Sequence, residues 1–311
     1  MNFTLRQLSY FVAAAEAGSI FHAADKLHVS QSALSAALTE LERTLNTQLF
    51  VRRKARGVTL TASGVRALEQ AKLILRDAAE LSVTCSSTEL AGPVMLGCYP
   101  PLASIVLPRL LQGFGDLHSL VSLDFVECDQ DVLQSSLHTG ALDVGIAYEW
   151  GLPAGLDRVV LYEAHPYVLL AEDHPLASAP TVDLADLAEE QLILPSTPVS
   201  QEHTLSVFHD RGLTVSRGHT TTSFELTRAL VGRGMGYAVS VQRSHNDRSH
   251  EGLPVVVKEL SPPARPVRVV MIWPSRVRLA RRVRELVEYA TTLDWGVGGM
   301  PPEPPRRRPV T

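Results

Sequence analysis

The sequence predicts an α/β protein in three parts: an N-terminal winged helix-turn-helix, one long helix, and a larger portion of alternating strands and helices. Three observations carry this reading. Apolar residues recur at helical spacing through residues 1–45, with short turns between the helical stretches. Residues 61–88 continue as one unbroken helical pattern. From Pro93 onward, short strand-like runs alternate with helical ones, the pattern of parallel α/β layers. A chain of 311 residues exceeds one ordinary core, so two or three domains are expected.

Composition narrows the class. Hydrophobic residues make up 45% and charged residues 20% of the chain, the balance of a soluble globular protein, and no apolar run reaches the roughly 18 residues of a membrane helix. Arg6, Gln7 and Glu16 interrupt the apolar N-terminus, which therefore lacks a signal-peptide core. The cytoplasm is the expected location. Cys85, Cys98 and Cys128 are too few and too scattered for a disulfide framework or a four-ligand zinc site, and the eleven histidines show no zinc-ligand spacing. No cofactor is expected. Charge is segregated: residues 1–60 hold seven Lys/Arg against four Asp/Glu, residues 91–260 nine against twenty-one, and residues 261–311 ten against four. A basic N-terminal module on an acidic protein suits contact with a polyanion.

Taken in order, Thr4 is placed to cap a first helix whose Leu5, Leu8, Phe11, Val12 and Ala15 share a face, and Gly18 ends it. Ser19 caps a second helix, "IFHAADKLH", where small Ala23 and Ala24 permit a close crossing. After the tight turn "VSQ" a third helix spans residues 31 to about 45, with Ala33, Leu34, Leu38, Leu41 and Leu45 as its buried stripe. Helices joined by so short a turn cross steeply, as in a helix-turn-helix. In that motif the second helix enters the DNA major groove by its first turn. There Ser30 is read as the cap, and Gln31, Ser32 and Ser35 as the side chains that meet bases and phosphates. Taken alone, these polar residues equally suit a solvated helix end. The stretch "FVRRKARGVTLT" tips the balance, because Arg52, Arg53, Lys54 and Arg56 surround Gly57 in a short basic hairpin suited to phosphates or the minor groove.

In the long helix, Leu68, Ala71, Leu75, Ala78 and Cys85 follow steps of three and four, a seam suited to pairing with a second copy. Packing against its own domain is the alternative. The α/β portion then reads as strand "VMLGCY", a helix near residues 102–114, strand "VSLDFVE", a helix near 132–139 and strand "LDVGIAY". A second unit runs through "HPYVLLAE", "QLILP", helices near 202–211 and 224–232, and "GYAVSV". The strand "PVRVVMIW" and the helix of "RVRLARRVRELVEYATTL" return to complete the first half. The final Gly-, Pro- and Arg-rich stretch offers no core residues and is expected to be disordered.

The sequence resembles the LysR-type transcriptional regulators over nearly all of its length. The resemblance rests on "RQLSYFVAAAEAGS", "AADKLHVSQSALS", "ELERTLNTQLFVRR" and "GVTLTASG", then on "VLPRLL", "GALDVGI", "HPLA" and "LVGRGMGYAV". It implies a DNA-binding domain over residues 1–60, a linker and dimerisation helix over 61–90, and an effector-binding domain over 91–293. That last domain is like a periplasmic solute-binding protein, with one subdomain of about 91–162 and 267–293 and another of about 163–266; residues 294–311 form the disordered tail. Implied partners are double-stranded DNA with two half-sites, a small-molecule effector, further copies of the chain in a dimer or tetramer, and RNA polymerase, with no membrane. Where the family usually has Pro after the recognition-helix Gln this chain has Ser32, and where a basic residue often follows the second Ser it has Ala36. Peroxide-sensing members carry a reactive cysteine pair in the second subdomain, and the comparable loop "PSTPVSQEHTLSVF" has none.

In doubly wound folds, ligands meet the carboxyl ends of strands. The candidates are Cys98, Tyr99, Pro100 and Pro101, then Cys128 and Gln130, then Tyr148, faced by Ser200, Gln201, Thr222, Ser223 and Phe224 from the second unit. The hydroxyls of "TTTS" at 220–223 suit a carboxylate or alcohol, or ordinary helix capping. Tyr148 stands where some aromatic-acid sensors have arginine, which argues against a strongly anionic effector. The alternative is a thiol- or soft-metal-responsive regulator using Cys98 and Cys128 at adjacent strand ends; buried apolar cysteines are the plainer reading. No Gly-rich phosphate loop, G-x-S-x-G or H-E-x-x-H appears, so an enzyme is not expected. A solute-binding protein would have no use for residues 1–88.

Overall fold

In the computed structural model, residues 3–53, 57–84 and 89–296 are described. Local capping chemistry builds the N-terminal module. Helix α1 (Leu5–Ala17) starts where the Thr4 hydroxyl accepts the Gln7 amide and the Gln7 side chain accepts the Thr4 amide, and stops at left-handed Gly18. Ser19 caps α2 (Ile20–Lys26) and Ser30 caps α3 (Gln31–Thr44). Leu34, Leu38 and Leu41 of α3 are buried with Leu8, Phe11 and Ala14 of α1.

The wing is β1 (Phe50–Arg53) paired antiparallel with β2 (Gly57–Leu60). Two contacts fix its root. The Glu42 carboxylate of α3 accepts the amides of Leu49 at 2.7 Å and Phe50 at 3.0 Å. Gly57 has φ of +79°, and a Cβ there would lie 2.3 Å from the Gly18 carbonyl oxygen; only glycine fits both demands. Lys54 and Arg56 lie outside the described residues, as does Cys85.

The long helix is α4 (Ala62–Thr84). Ala71 is buried, and Leu68 and Leu75 pack against the same core as α1. Lys72 pairs with Glu16 of α1 at 2.9 Å. Through these contacts the stretch from Leu68 to Leu75 lies against α1. Ala78 is half-buried, and among the described side chains of this helix Val65 and Ile74 are the large apolar ones left exposed.

The first α/β half runs β3 (Gly92–Cys98), α5 (Pro100–Leu117), β4 (Val121–Glu127), α6 (Gln130–His138), β5 (Val144–Tyr148) and β6 (Leu156–Ala164). After the second half it is completed by β13 (Val267–Pro274) and α9 (Arg281–Thr292). Its sheet has the order β4-β3-β5-β13-β6. Strands β4, β3 and β5 are parallel, but β13 is antiparallel to both β5 and β6, so the sheet is mixed and not wholly parallel as expected. Val106, Leu110 and Phe114 of α5 and Val283, Leu286 and Ala290 of α9 bury the face bearing Leu96, Ile146 and Met271. The tail expected from residue 294 is corrected at its start. Trp295 is 3% exposed, donates its indole N–H to the Ala290 carbonyl at 3.0 Å, and lies beneath the Arg109 guanidinium.

The second half contains β7 (Tyr167–Ala171), β8 (Thr181–Val182), β9 (Gln191–Pro195), α7 (Pro198–His209), β10 (Ser216–Thr221), α8 (Phe224–Gly232), β11 (Ala238–Ser240) and β12 (Val255–Leu260). One sheet has the order β11-β7-β12-β8, with β7 antiparallel to both β11 and β12; β9 and β10 pair in parallel and touch the β11 side through Leu192 and Tyr237. Arg228 of α8 is fully buried, which is tolerated because it donates to the carbonyls of Asn246 and Arg248 and pairs with Glu225 at 3.0 Å. Among the described residues no helix is long and apolar enough to cross a membrane.

Candidate functional site

Two surfaces carry the residues singled out from the sequence. On α3 the buried stripe of Leu34, Leu38 and Leu41 turns the opposite face outward. Gln31 and Ser32 are exposed and Ser35 is half-buried. The Ser30 hydroxyl accepts the Ala33 amide at 3.2 Å and lies 3.2 Å from the Ser32 hydroxyl, so the cap also orients its neighbour. The register of the wing places Arg52 opposite Val58 and Arg53 opposite Gly57, at the far end of the hairpin.

The second surface is a cavity at the carboxyl ends of β5, β9 and β10, lined from both α/β halves. It holds about 80 Å³ of space reachable by the centre of a water molecule, where roughly 10–15 Å³ suffices for one water. That is room for a small organic molecule. Three helices begin beside it. Ser223 caps α8 by accepting the Leu226 amide, so capping and cavity lining fall to the same hydroxyl. Neither α5 nor α7 has a side-chain cap bond. Their flanking residues meet each other instead: the Tyr99 hydroxyl donates to the Thr197 hydroxyl at 2.7 Å and lies 2.8 Å from that of Ser200. A second contact between the halves sets Trp150 against His203, ring centres 5.4 Å apart and nearly perpendicular.

Of the candidate ligand residues, Pro101, Tyr148, Ser200, Thr222, Ser223 and Phe224 line this cavity. Six do not. Cys98 lies in the core beneath α5 and α9, and Cys128 packs against the cluster of Leu133 and Leu142. Their strand ends do adjoin, since the Cys128 amide donates to the Cys98 carbonyl at 3.1 Å. Tyr99 stands behind Tyr148, its ring edge-on at 5.7 Å. Pro100 is exposed. Gln130 is buried and supports the lining from outside by donating to the Trp150 carbonyl at 2.8 Å, and Gln201 donates to the Pro195 carbonyl at 3.2 Å.

The sequence reading passed over Trp150, Thr197, His203, Thr204 and Thr227, and the segment from Ala238 to Gln242. Helical spacing carried a signal for several: His203 and Thr204 fall three and four residues after Ser200, and Thr227 falls three after Phe224. Among the described residues, no Lys, Arg, Asp or Glu lines the cavity. Burial pushes the Tyr148 phenol well above its ordinary range and holds the His203 imidazole below its ordinary value. Burial also pushes up both thiols, with Glu127 adding to the effect at Cys98 and Asp129 at Cys128. This is the reverse of the lowered pKa that a thiol sensor requires. Among the described residues, no group of three His, Cys, Asp or Glu side chains is placed to hold a metal.

Residues 5–65 match the model of the bacterial regulatory helix-turn-helix protein, lysR family, and residues 87–294 match the LysR substrate binding domain. The regulator CfxR of Cupriavidus necator is 34% identical over 243 residues, 76% of this chain and 75% of its own length. The hydrogen peroxide-inducible genes activator of Pectobacterium carotovorum is 28% identical over 93% of this chain and 99% of its own. Among solved structures, the LysR family regulator HinK of Pseudomonas aeruginosa superposes with a TM-score of 0.64 at 31% identity, covering 94% of this chain and 98% of that one. With the winged helix-turn-helix and the effector-type α/β halves both matched in their expected order, the chain belongs to the LysR family of bacterial transcriptional regulators.

Proposed function

We propose that the chain reads a two-half-site promoter through Gln31, Ser32 and Ser35, holds phosphates with the basic wing, and answers to a small uncharged or weakly acidic effector in the cavity. It acts in the cytoplasm as a dimer or tetramer and has no catalytic role. The observation that carries the effector reading is the lining itself: groups from both α/β halves, rich in hydroxyls and aromatic rings, without one charged side chain. An effector touching both halves favours one angle between them, and oligomer contacts pass that angle to the spacing of the DNA-binding modules. The exposed face of α4, with Val65 and Ile74, supports pairing there better than the buried seam does.

Thermal-shift screening of the full chain against small aromatic alcohols, amides and acids tests this. Hits should raise the melting temperature and alter the promoter footprint, and both responses should vanish in Tyr148→Ala and Thr222→Ala. Hits that act equally on both variants would place the effector elsewhere.

A further inference from the structure

This step rests on the cavity being the effector site and concerns the chemistry that the cavity selects. We propose that His203 is its specificity-determining residue and that the cavity takes a carboxylate bearing an aromatic ring, together with one proton from solvent. His203 lies on α7, one turn beyond Ser200, with its ring edge-on to Trp150 across the cleft. A carboxylate entering the cavity meets hydroxyls, Gln242 and the first turns of α7 and α8, but no fixed counter-charge. An ion in such surroundings is costly unless paired. His203 and Tyr148 are the two titratable side chains in the lining. Tyr148 is kept neutral by burial, which leaves the imidazole to supply the positive charge.

The charges nearby are committed or turned away. Glu149 pairs with Arg158 at 3.5 Å and Arg268 at 3.6 Å, Arg268 also pairs with Glu163, Arg243 with Glu259, and Glu225 with Arg228. Glu202 and His165, which adjoin lining residues, are exposed. In the empty cavity, burial keeps His203 neutral. When a carboxylate arrives beside it, the charged imidazolium becomes favoured, so one proton moves from solvent to the ring and an ion pair forms. No covalent bond changes.

Calorimetry on the full chain with phenylacetate and with phenylacetamide, its uncharged counterpart, tests this between about pH 8 and pH 6. Phenylacetate affinity should rise as pH falls, by at most about tenfold per unit for one proton. Two buffers of different ionisation enthalpy should report uptake of that proton. His203→Gln should abolish the uptake and weaken phenylacetate, while phenylacetamide binding stays pH-independent and shows that the variant folds. Phenylacetate affinity that is flat with pH, or uptake that survives His203→Gln, overturns the proposal; phenylacetamide binding lost in Tyr148→Ala would still uphold the cavity. If neither probe binds the wild type, or both bind Tyr148→Ala unchanged, the cavity reading falls as well.

Discussion

Single side chains offer different chemistry according to where the fold places them. Gln31 and Arg53 are both polar residues of the DNA-binding module, but one stands on the exposed first turn of α3 and the other at the end of a hairpin strand. Gln31→Ala should relax discrimination at one or two base pairs per half-site, costing roughly 1–3 kcal/mol on specific DNA. Arg53→Ala should weaken specific and random DNA alike and flatten the salt dependence. Binding assays on both DNAs over a salt series check this, and equal losses from the two variants would refute the division. His203 supplies a second test at this scale. Its folded pKa lies below the ordinary 6.5 because of burial, so below that pH the unfolded chain binds more protons than the folded one. The stability given by the neutral imidazole is therefore present above about 6.5 and lost as pH falls through the folded value. Chemical denaturation from neutral to mildly acid pH should show this loss in the wild type and a shallower one in His203→Gln.

Elements form where local chemistry and tertiary packing agree. The three capped helices of the N-terminal module were legible because Thr4, Ser19 and Ser30 each do in the fold what their side chains offer in the sequence. Strand β10, "SRGHTT", was not: it lacks any apolar side chain to alternate, and its extended form comes from pairing with β9. Strand β6 was hidden for another reason, since only His165 and Pro166 separate it from β7. Strand direction has no local signature at all, so the antiparallel placement of β13 could not be read. In helix α4 the apolar stripe says that something covers it but not what. Leu75 packs on the chain's own module whereas Ile74 is exposed. Leu75→Glu should therefore destabilise the module by about 1–3 kcal/mol, and Ile74→Glu should leave the melting temperature unchanged while splitting a dimer paired through the exposed face. Sedimentation and thermal melts of the two variants separate these roles; a stable, wholly monomeric Leu75→Glu would assign the pairing to the Leu75 stripe instead.

At the scale of the whole molecule, the two α/β halves are joined by only two chain crossings, from β6 to β7 and from β12 to β13, so their relative angle depends on side chains that meet across the cleft. Six residues named from the sequence line the cavity because strand ends share an edge, whereas the cross-cleft contacts were hidden because they depend on how two separately folded halves face each other. Tyr99 is the clearest case. It was expected to touch the effector, yet its hydroxyl reaches Thr197 and Ser200 of the other half, beside the unbridged starts of α5 and α7. Tyr99→Phe keeps the ring packed on Tyr148 and removes only that link. A net hydrogen bond contributes about 0.5–1.5 kcal/mol, so two bonds to one hydroxyl bias the closed arrangement by enough to change its population several-fold. Hydrogen exchange should accelerate by about tenfold in the first turn of α7, where the Gln201 amide bonds the Thr197 carbonyl at 2.9 Å, and remain unchanged in the sheet strands. On the proposed effector reading, the same variant should shift the promoter footprint of the unliganded protein, because removing the link frees the angle between the halves. Wild-type exchange in α7 together with a wild-type footprint would show that the Tyr99 link follows closure and does not hold it.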